Sequence, residues 1–230
     1  MNSYLKDIYA KDEYSEELYP QKLCNFLFQK YLIGKNIDRG TLLDIGSGKG
    51  NQLVGFSRNN FECYGIDKRE ECVEILDNFE IRECDLESEK LPFDDNYFDV
   101  VFTKSVIEHV FNTDHFIKEA KRVLKVNGTL IVLTPDWESQ SKSFFDDYTH
   151  IKPFTKKGLK AAISQNGFKD VYCDYFLQLP FVWKYPLLSF IPKALSFLPY
   201  SWRFSDKEQK KSRVLIRFSQ EKMLLAVATK

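Results

Sequence analysis

The sequence predicts an α/β fold in which a mostly parallel sheet carries helices on both faces, and three observations predict it. An apolar run from Thr41 to Ile45 breaks at a glycine-rich turn and continues as a helix-like segment from Asn51. Strand-like and helix-like segments then alternate as far as Pro135, which implies parallel strands joined by crossover helices. The strand-like runs, above all Val100 to Phe102, are apolar at successive positions, as expected of a sheet buried on both faces.

Residues 1–40 read as a helical lead-in, with Leu23, Leu27 and Tyr31 at four-residue spacing. Tyr4, Tyr9, Tyr14 and Tyr19 fall in this segment, each taken singly as a plain structural residue. The first strand ends in Asp44-Ile45-Gly46-Ser47-Gly48-Lys49-Gly50, an acid followed by three glycines at alternating positions. Without a Cβ the chain can turn sharply there and approach a ligand closely, and the amides opening the next helix face whatever is bound. A dinucleotide loop needs G-x-G-x-x-G, but the sixth residue from Gly46 is Asn51, so the third glycine comes one position early. The phosphate-loop pattern G-x-x-x-x-G-K-[ST] is absent.

A second strand, Cys63 to Ile66, ends at Asp67, seventeen residues after Gly50, where a carboxylate can accept both hydroxyls of a ribose or cap a helix starting near Arg69. Lys68 follows it. A third, Glu80 to Cys84, ends in Asp85-Leu86, and a proline- and acid-rich turn (Leu91 to Tyr97) leads into the fourth. Ser105-Val106-Ile107-Glu108-His109-Val110 is its post-strand loop. The next helix opens at Asn112-Thr113-Asp114, with Phe116, Ile117, Ala120, Val123 and Leu124 at helical spacing. Asn127-Gly128 reads as its stop and Thr129 to Leu133 as the fifth strand.

Taken together from about Thr41 to Pro135, these motifs resemble the class I S-adenosylmethionine (SAM) methyltransferases, of the type 11-like kind that act on small molecules. The resemblance implies a Rossmann-like sheet of seven strands, mostly parallel, with an antiparallel last strand. It implies SAM as cofactor, held by Asp44, Gly46, Ser47, Gly48, Gly50, Asp67, Lys68, Asp85, Leu86 and Ser105. In that family Asp85 takes the adenine amino group and the next backbone N–H a ring nitrogen. The division expected is a helical cap (1–40), a SAM-binding core (41–176), an aromatic-rich insert (177–212) and C-terminal strands completing the sheet (213–230). Within this, Lys156 to Gln165 reads as helix, Gly167 as its stop, Val171 to Phe176 as strand, and Val214 to Phe218 and Met223 to Thr229 as two more strands.

Composition sets limits on partners. Lys plus Arg (33) balance Asp plus Glu (33), so the basic excess of a nucleic-acid binder is missing and no such partner is expected. The cysteines at 24, 63, 72, 84 and 173 are scattered, which reads as reduced core thiols of a cytoplasmic protein. The stretch Met1 to Glu17 is polar and reads as no signal peptide. From 177 to 205 the insert carries Lys184, Lys193, Arg203 and no acid among many aromatic and leucine residues. It is either a lid walling the substrate pocket or a segment that meets a membrane interface through 179–204. With the second, the protein would work at the inner face of the membrane.

For acid–base chemistry there are three histidines. His115 falls inside a helix. His109 follows the fourth strand, and His150 lies in Asp146-Asp147-Tyr148-Thr149-His150-Ile151-Lys152-Pro153-Phe154-Thr155, which resembles the T-H-x-x-x-F-[ST] stretch of methylases acting on quinones, sugars and other small acceptors. His150 is the candidate base, oriented by Asp146 or Asp147, and His109 shapes the pocket; the other reading of His150 is a loop brace. Amino-group methylases of this family acting on adenine or glutamine carry N/D-P-P-Y/F where this chain has Thr103-Lys104-Ser105-Val106. No metal-ligand pattern stands out. The expected activity is methyl transfer to a small or lipid-linked acceptor, as a hydroxyl of a quinone, sugar or glycan; the alternative is a SAM-binding partner protein without catalysis.

Overall fold

The computed structural model describes residues 18–68, 79–203 and 211–230. Tyr4, Tyr9, Tyr14, Arg69 and Cys72, named above, lie outside the described residues.

Seven strands form one sheet: β1 (Gly40–Ile45), β2 (Phe61–Asp67), β3 (Glu80–Glu83), β4 (Phe98–Lys104), β5 (Leu124–Pro135), β6 (Lys169–Phe176) and β7 (Met223–Thr229). Their order is β3-β2-β1-β4-β5-β7-β6. The first five pair in parallel. β7 enters antiparallel between β5 and β6. Strand order reverses between β1 and β4, and a ligand crevice opens at the carboxyl ends of strands beside such a switch point.

The helices are α1 (Leu18–Leu27), α2 (Asn51–Ser57), α3 (Thr113–Val123), α4 (Trp137–Gln140), α5 (Lys156–Gln165), α6 (Pro180–Lys184), α7 (Phe190–Leu195) and α8 (Lys211–Gln220). Strand side chains alternate between two cores because successive residues point to opposite faces. Leu43, Ile45 and Val101 pack with Phe116, Ile117 and Ala120 of α3 and Leu159 and Ile163 of α5. Leu42, Val100 and Phe102 pack with Leu23, Cys24 and Leu27 of α1 and Leu53 and Phe56 of α2. Cys24, Cys63 and Cys84 are buried free thiols; burial pushes the Cys63 thiol up to about 12, which makes it a poor nucleophile.

Two sequence expectations fail. Val214 to Phe218, expected as a strand of the last hairpin, lies inside helix α8, so 213–230 supplies one strand. Both edges of β7 are already paired by β5 and β6. The run Val214-Leu215-Ile216 packs instead as a helix beneath the insert, where Gln220 Nε2 donates to the Leu198 carbonyl at 2.8 Å. Asn127-Gly128 is not the stop of α3: that helix ends at Val123, and β5 begins at Leu124 with Asn127 in a left-handed conformation (φ 66°).

The insert is helical, not extended. α6, a 3-10 turn (Pro186–Ser189), α7 and a second 3-10 turn (Tyr200–Arg203) follow β6. Trp183 anchors it: its ring stacks 5.1 Å from Phe26 and 5.1 Å from Phe176, and its indole N–H donates to the Leu177 carbonyl at 2.7 Å. Tyr19 of α1 adds a hydrogen bond to Gln178. Because β6 runs parallel to β5, the insert leaves the sheet on the same rim as the loops after β1, β4 and β5.

Candidate functional site

The glycine loop after β1 is held by β2. Amides of Gly46 and Ser47 donate to the Ile66 carbonyl at 2.7 and 2.9 Å. The next amide, of Gly48, donates to Asp67 Oδ2 at 2.8 Å. Gly46 and Gly48 have φ of 77° and 54°, where a side chain is strained. A Cβ on Gly46 would also overlap the Val106 side chain from the loop after β4. The expected contacts Asp44, Gly46, Ser47, Gly48, Gly50 and Asp67 therefore converge at the carboxyl ends of β1 and β2.

Asp44 is 2% exposed, and its Oδ2 has no hydrogen-bond partner; Ser47 Oγ is likewise buried and unpartnered. Burial, and secondarily the Asp67 charge, pushes the Asp44 carboxyl up to about 8, against the opposing pull of Lys104. A buried acid with an orphan oxygen beside a backbone cradle fits a ligand that brings its own ammonium group, as the amino-acid end of SAM does.

Lys68 and Asp85 come together, with Nζ 3.6 Å from Oδ1. The Asp85 carboxylate also accepts the Glu87 amide at 3.3 Å. Leu86 is half-buried beside the core under α3. Both lie next to β2, because the Cys84 amide donates to the Asp67 carbonyl at 3.2 Å. Ser105 is exposed with φ 57°, its amide donating to the Leu133 carbonyl at 2.9 Å.

The two rim histidines meet: their ring centroids are 4.7 Å apart. Each has Nδ1 against a backbone carbonyl, His150 at 2.6 Å from Phe144 O and His109 at 3.0 Å from Thr149 O. A carbonyl only accepts, so both imidazoles carry a proton on Nδ1, and in the neutral ring Nε2 is the nitrogen left as acceptor. The Thr149 hydroxyl is also 3.0 Å from His109 Nδ1, but its hydrogen goes to Asp147 Oδ1 at 2.6 Å. Of the two acids expected to orient His150, Asp147 is the one present, with Oδ2 4.0 Å from His150 Nε2; Asp146 is exposed. Burial alone would raise Asp147, but hydrogen bonds from Thr149 and the nearby imidazoles hold it below the usual carboxylate range. Burial lowers His109, so this ring stays neutral near pH 7. His115 stands apart, its Nε2 2.9 Å from the Glu89 carbonyl.

Sequence reasoning gave no role to Glu108 or Lys104. Glu108 is fully buried beneath the histidines. Its Oε2 accepts the Thr134 hydroxyl at 2.9 Å while Oε1 has no partner, and burial pushes its carboxyl up to about 7. One ligand-type atom each from Glu108, His109 and His150 lies within 4.8 Å of the other two, a donor set that also suits a divalent transition ion. The only signal for Lys104 was a cation closing an apolar strand beside the strand that carries Asp44.

Comparison with known proteins agrees with this geometry. A methyltransferase-domain family model matches residues 43–132. An uncharacterized methyltransferase, YcgJ of Bacillus subtilis, is 31% identical over 99 residues, covering 40% of this chain and 39% of its own. A Pelagibacter ubique protein named ubiquinone biosynthesis O-methyltransferase is 32% identical over 99 residues, covering 40% of this chain and 41% of its own. The chain thus spans about two fifths of the length of these curated relatives. Among solved structures, a SAM-dependent methyltransferase from Archaeoglobus fulgidus superposes with a TM-score of 0.63 at 19% identity, covering 91% of this chain and 94% of that one. By this domain match over residues 43–132 and by the fold it shares with that structure, the chain is similar to the class I SAM-dependent methyltransferases and has their fold.

Proposed function

We propose that this chain methylates a hydroxyl group of a hydrophobic, lipid-linked acceptor of the quinone, sugar or glycan class, with His150 as general base. The observation that carries this reading is the His150 tautomer: Nδ1–H is tied to the Phe144 carbonyl at 2.6 Å, which leaves Nε2 as a proton acceptor on the cofactor rim. SAM, when bound, supplies a methyl group on a sulfonium, an electrophile with a neutral leaving group. The chain must then exclude water, align the hydroxyl and take its proton. Alignment contributes up to about 7–11 kcal/mol in favourable cases, and a positioned base about 10²–10⁴-fold. His109 walls the pocket beside His150, and Asp147 favours the imidazolium that forms when the proton arrives.

The acceptor class follows from the insert above the rim. Leu187 is 90% exposed and Phe197 83%, with Phe190 and Trp202 also exposed, and the same segment carries Lys184 and Lys193 and no acid from 177 to 205. Phe111, Phe145 and Tyr148, on the loops that carry the histidines, are exposed as well. Such a surface suits an acceptor presented at a lipid–water interface, reached by peripheral contact at the inner face of the membrane. Among the described residues no helix is long and apolar enough to cross a membrane. The name of the Pelagibacter relative points to the same reaction type.

The test is release of S-adenosylhomocysteine with phenolic, sugar and polyprenyl-linked hydroxyl acceptors, soluble or in vesicles, with the product located by mass spectrometry. Oxygen methylation favouring the vesicle-borne acceptor supports the proposal; methylation confined to amines overturns it. Loss of turnover in EDTA, restored by zinc or manganese, would replace the base by a metal-held hydroxyl.

A further inference from the structure

Lys104 is a cation that the reading above leaves without a task. It is the last residue of β4. Asp44 pairs in register with Phe102, so Asp44, Phe102 and Lys104 project from the same face of adjacent parallel strands. That face is covered by α1, whose Cys24 thiol feels both the Asp44 and the Lys104 charge. Among the described residues Lys104 Nζ has no hydrogen bond or ion pair, although its side chain is half-buried. Burial lowers its ammonium below the ordinary lysine range, and Glu108 and Asp44 act in the opposite sense. An acid with an orphan oxygen and an ammonium without a partner thus stand side by side at the mouth of the glycine loop. Leaving the buried Asp44 oxygen unsatisfied is costly, and a single ligand end bearing one ammonium and one carboxylate would engage both side chains.

We propose that Lys104 anchors the carboxylate of the amino-acid end of SAM while Asp44 takes its ammonium, so that the pair reads a zwitterion. This rests on the SAM site described above and adds to it a specificity determinant: the site selects the amino-acid form of the cofactor over decarboxylated forms. It also fixes the cofactor's chain on the α1 side of β4, which leaves the rim over His109 and His150 for the acceptor.

The experiment is calorimetric titration of the full chain with S-adenosylhomocysteine and with its decarboxylated analogue, on the wild type and on Lys104→Met. Expected is a preference of about tenfold or more for the carboxylate-bearing ligand in the wild type, as for a charge-assisted hydrogen bond. Lys104→Met should erase that preference by weakening S-adenosylhomocysteine alone. Equal affinity of the wild type for both ligands overturns the proposal without recourse to any variant. So does a variant that keeps the preference, or one that loses both ligands equally, since Lys104 would then serve an acceptor anion or the fold. Wild-type protein that binds neither ligand removes the SAM site itself, a different failure from binding without discrimination.

Discussion

Asp67 Oδ2 accepts the Gly48 amide at 2.8 Å, so the acid that ends β2 holds the glycine loop that follows β1. The carboxylate expected to meet a ribose is also a brace for the cradle. Asp67→Ala should weaken S-adenosylhomocysteine binding by about 1–3 kcal/mol through loss of charge-assisted hydrogen bonds. Titration calorimetry measures this, and unaltered affinity would remove Asp67 from the site.

Gly48→Val should abolish cofactor binding. Its φ of 54° is an outlier for a β-branched residue, and a side chain there intrudes on the cradle. Circular dichroism should show the fold retained, since the change falls in a loop; cofactor affinity equal to the wild type would contradict the motif assignment.

Asp44 supplies a pH signature. With its carboxyl pushed up to about 8, Asp44 is mostly protonated at pH 7 in the free protein, and a ligand ammonium requires it ionised. Binding should therefore release about one proton at pH 7 and far less at pH 9, and affinity should rise with pH up to about 8. The raised pKa also means that the free protein loses stability as pH climbs from about 4 through 8, since the unfolded carboxyl ionises first. Calorimetry in buffers of different ionisation enthalpy reads the proton release, and Asp44→Asn should eliminate it.

His150→Ala should lower turnover by about 10²-fold or more while leaving S-adenosylhomocysteine affinity nearly unchanged. Single-turnover kinetics with a hydroxyl acceptor would show it; an unaltered rate would leave His150 as a loop brace, a task its hydrogen bond to Phe144 already performs.

Trp183→Ala should release the insert. The ring stacks on Phe26 and Phe176 and is half-buried, so its loss should cost about 2–4 kcal/mol and expose residues 184–203 to protease. Thermal melts and limited proteolysis in parallel would check both; resistance equal to the wild type would mean that other contacts hold the insert.

Much of this architecture was legible in the chain because the core strands announce themselves. β1 and β2 are short apolar runs ended by a glycine turn or an acid, β4 is a continuous apolar run, and the stop of α5 at Gly167 has local chemistry in its left-handed turn. α8 was illegible for the opposite reason. Val214-Leu215-Ile216 has strand-like composition, and only its packing under the insert makes it helical. The site divides in the same way. The glycine loop and the two histidines stand out as residue types, whereas Lys104 and Glu108 acquire meaning only from the register that sets them beside Asp44 and His150. The choice between Asp146 and Asp147 was likewise tertiary, decided by which carboxylate Thr149 turns toward the imidazole.

The most direct measurement is calorimetric titration of the full chain with S-adenosylhomocysteine and NAD side by side, at pH 7. Saturable binding of S-adenosylhomocysteine with release of about one proton, and no heat from NAD, is the expected result. No binding of S-adenosylhomocysteine, or binding of NAD in its place, would contradict the assignment of the glycine loop and with it the proposed methyl transfer.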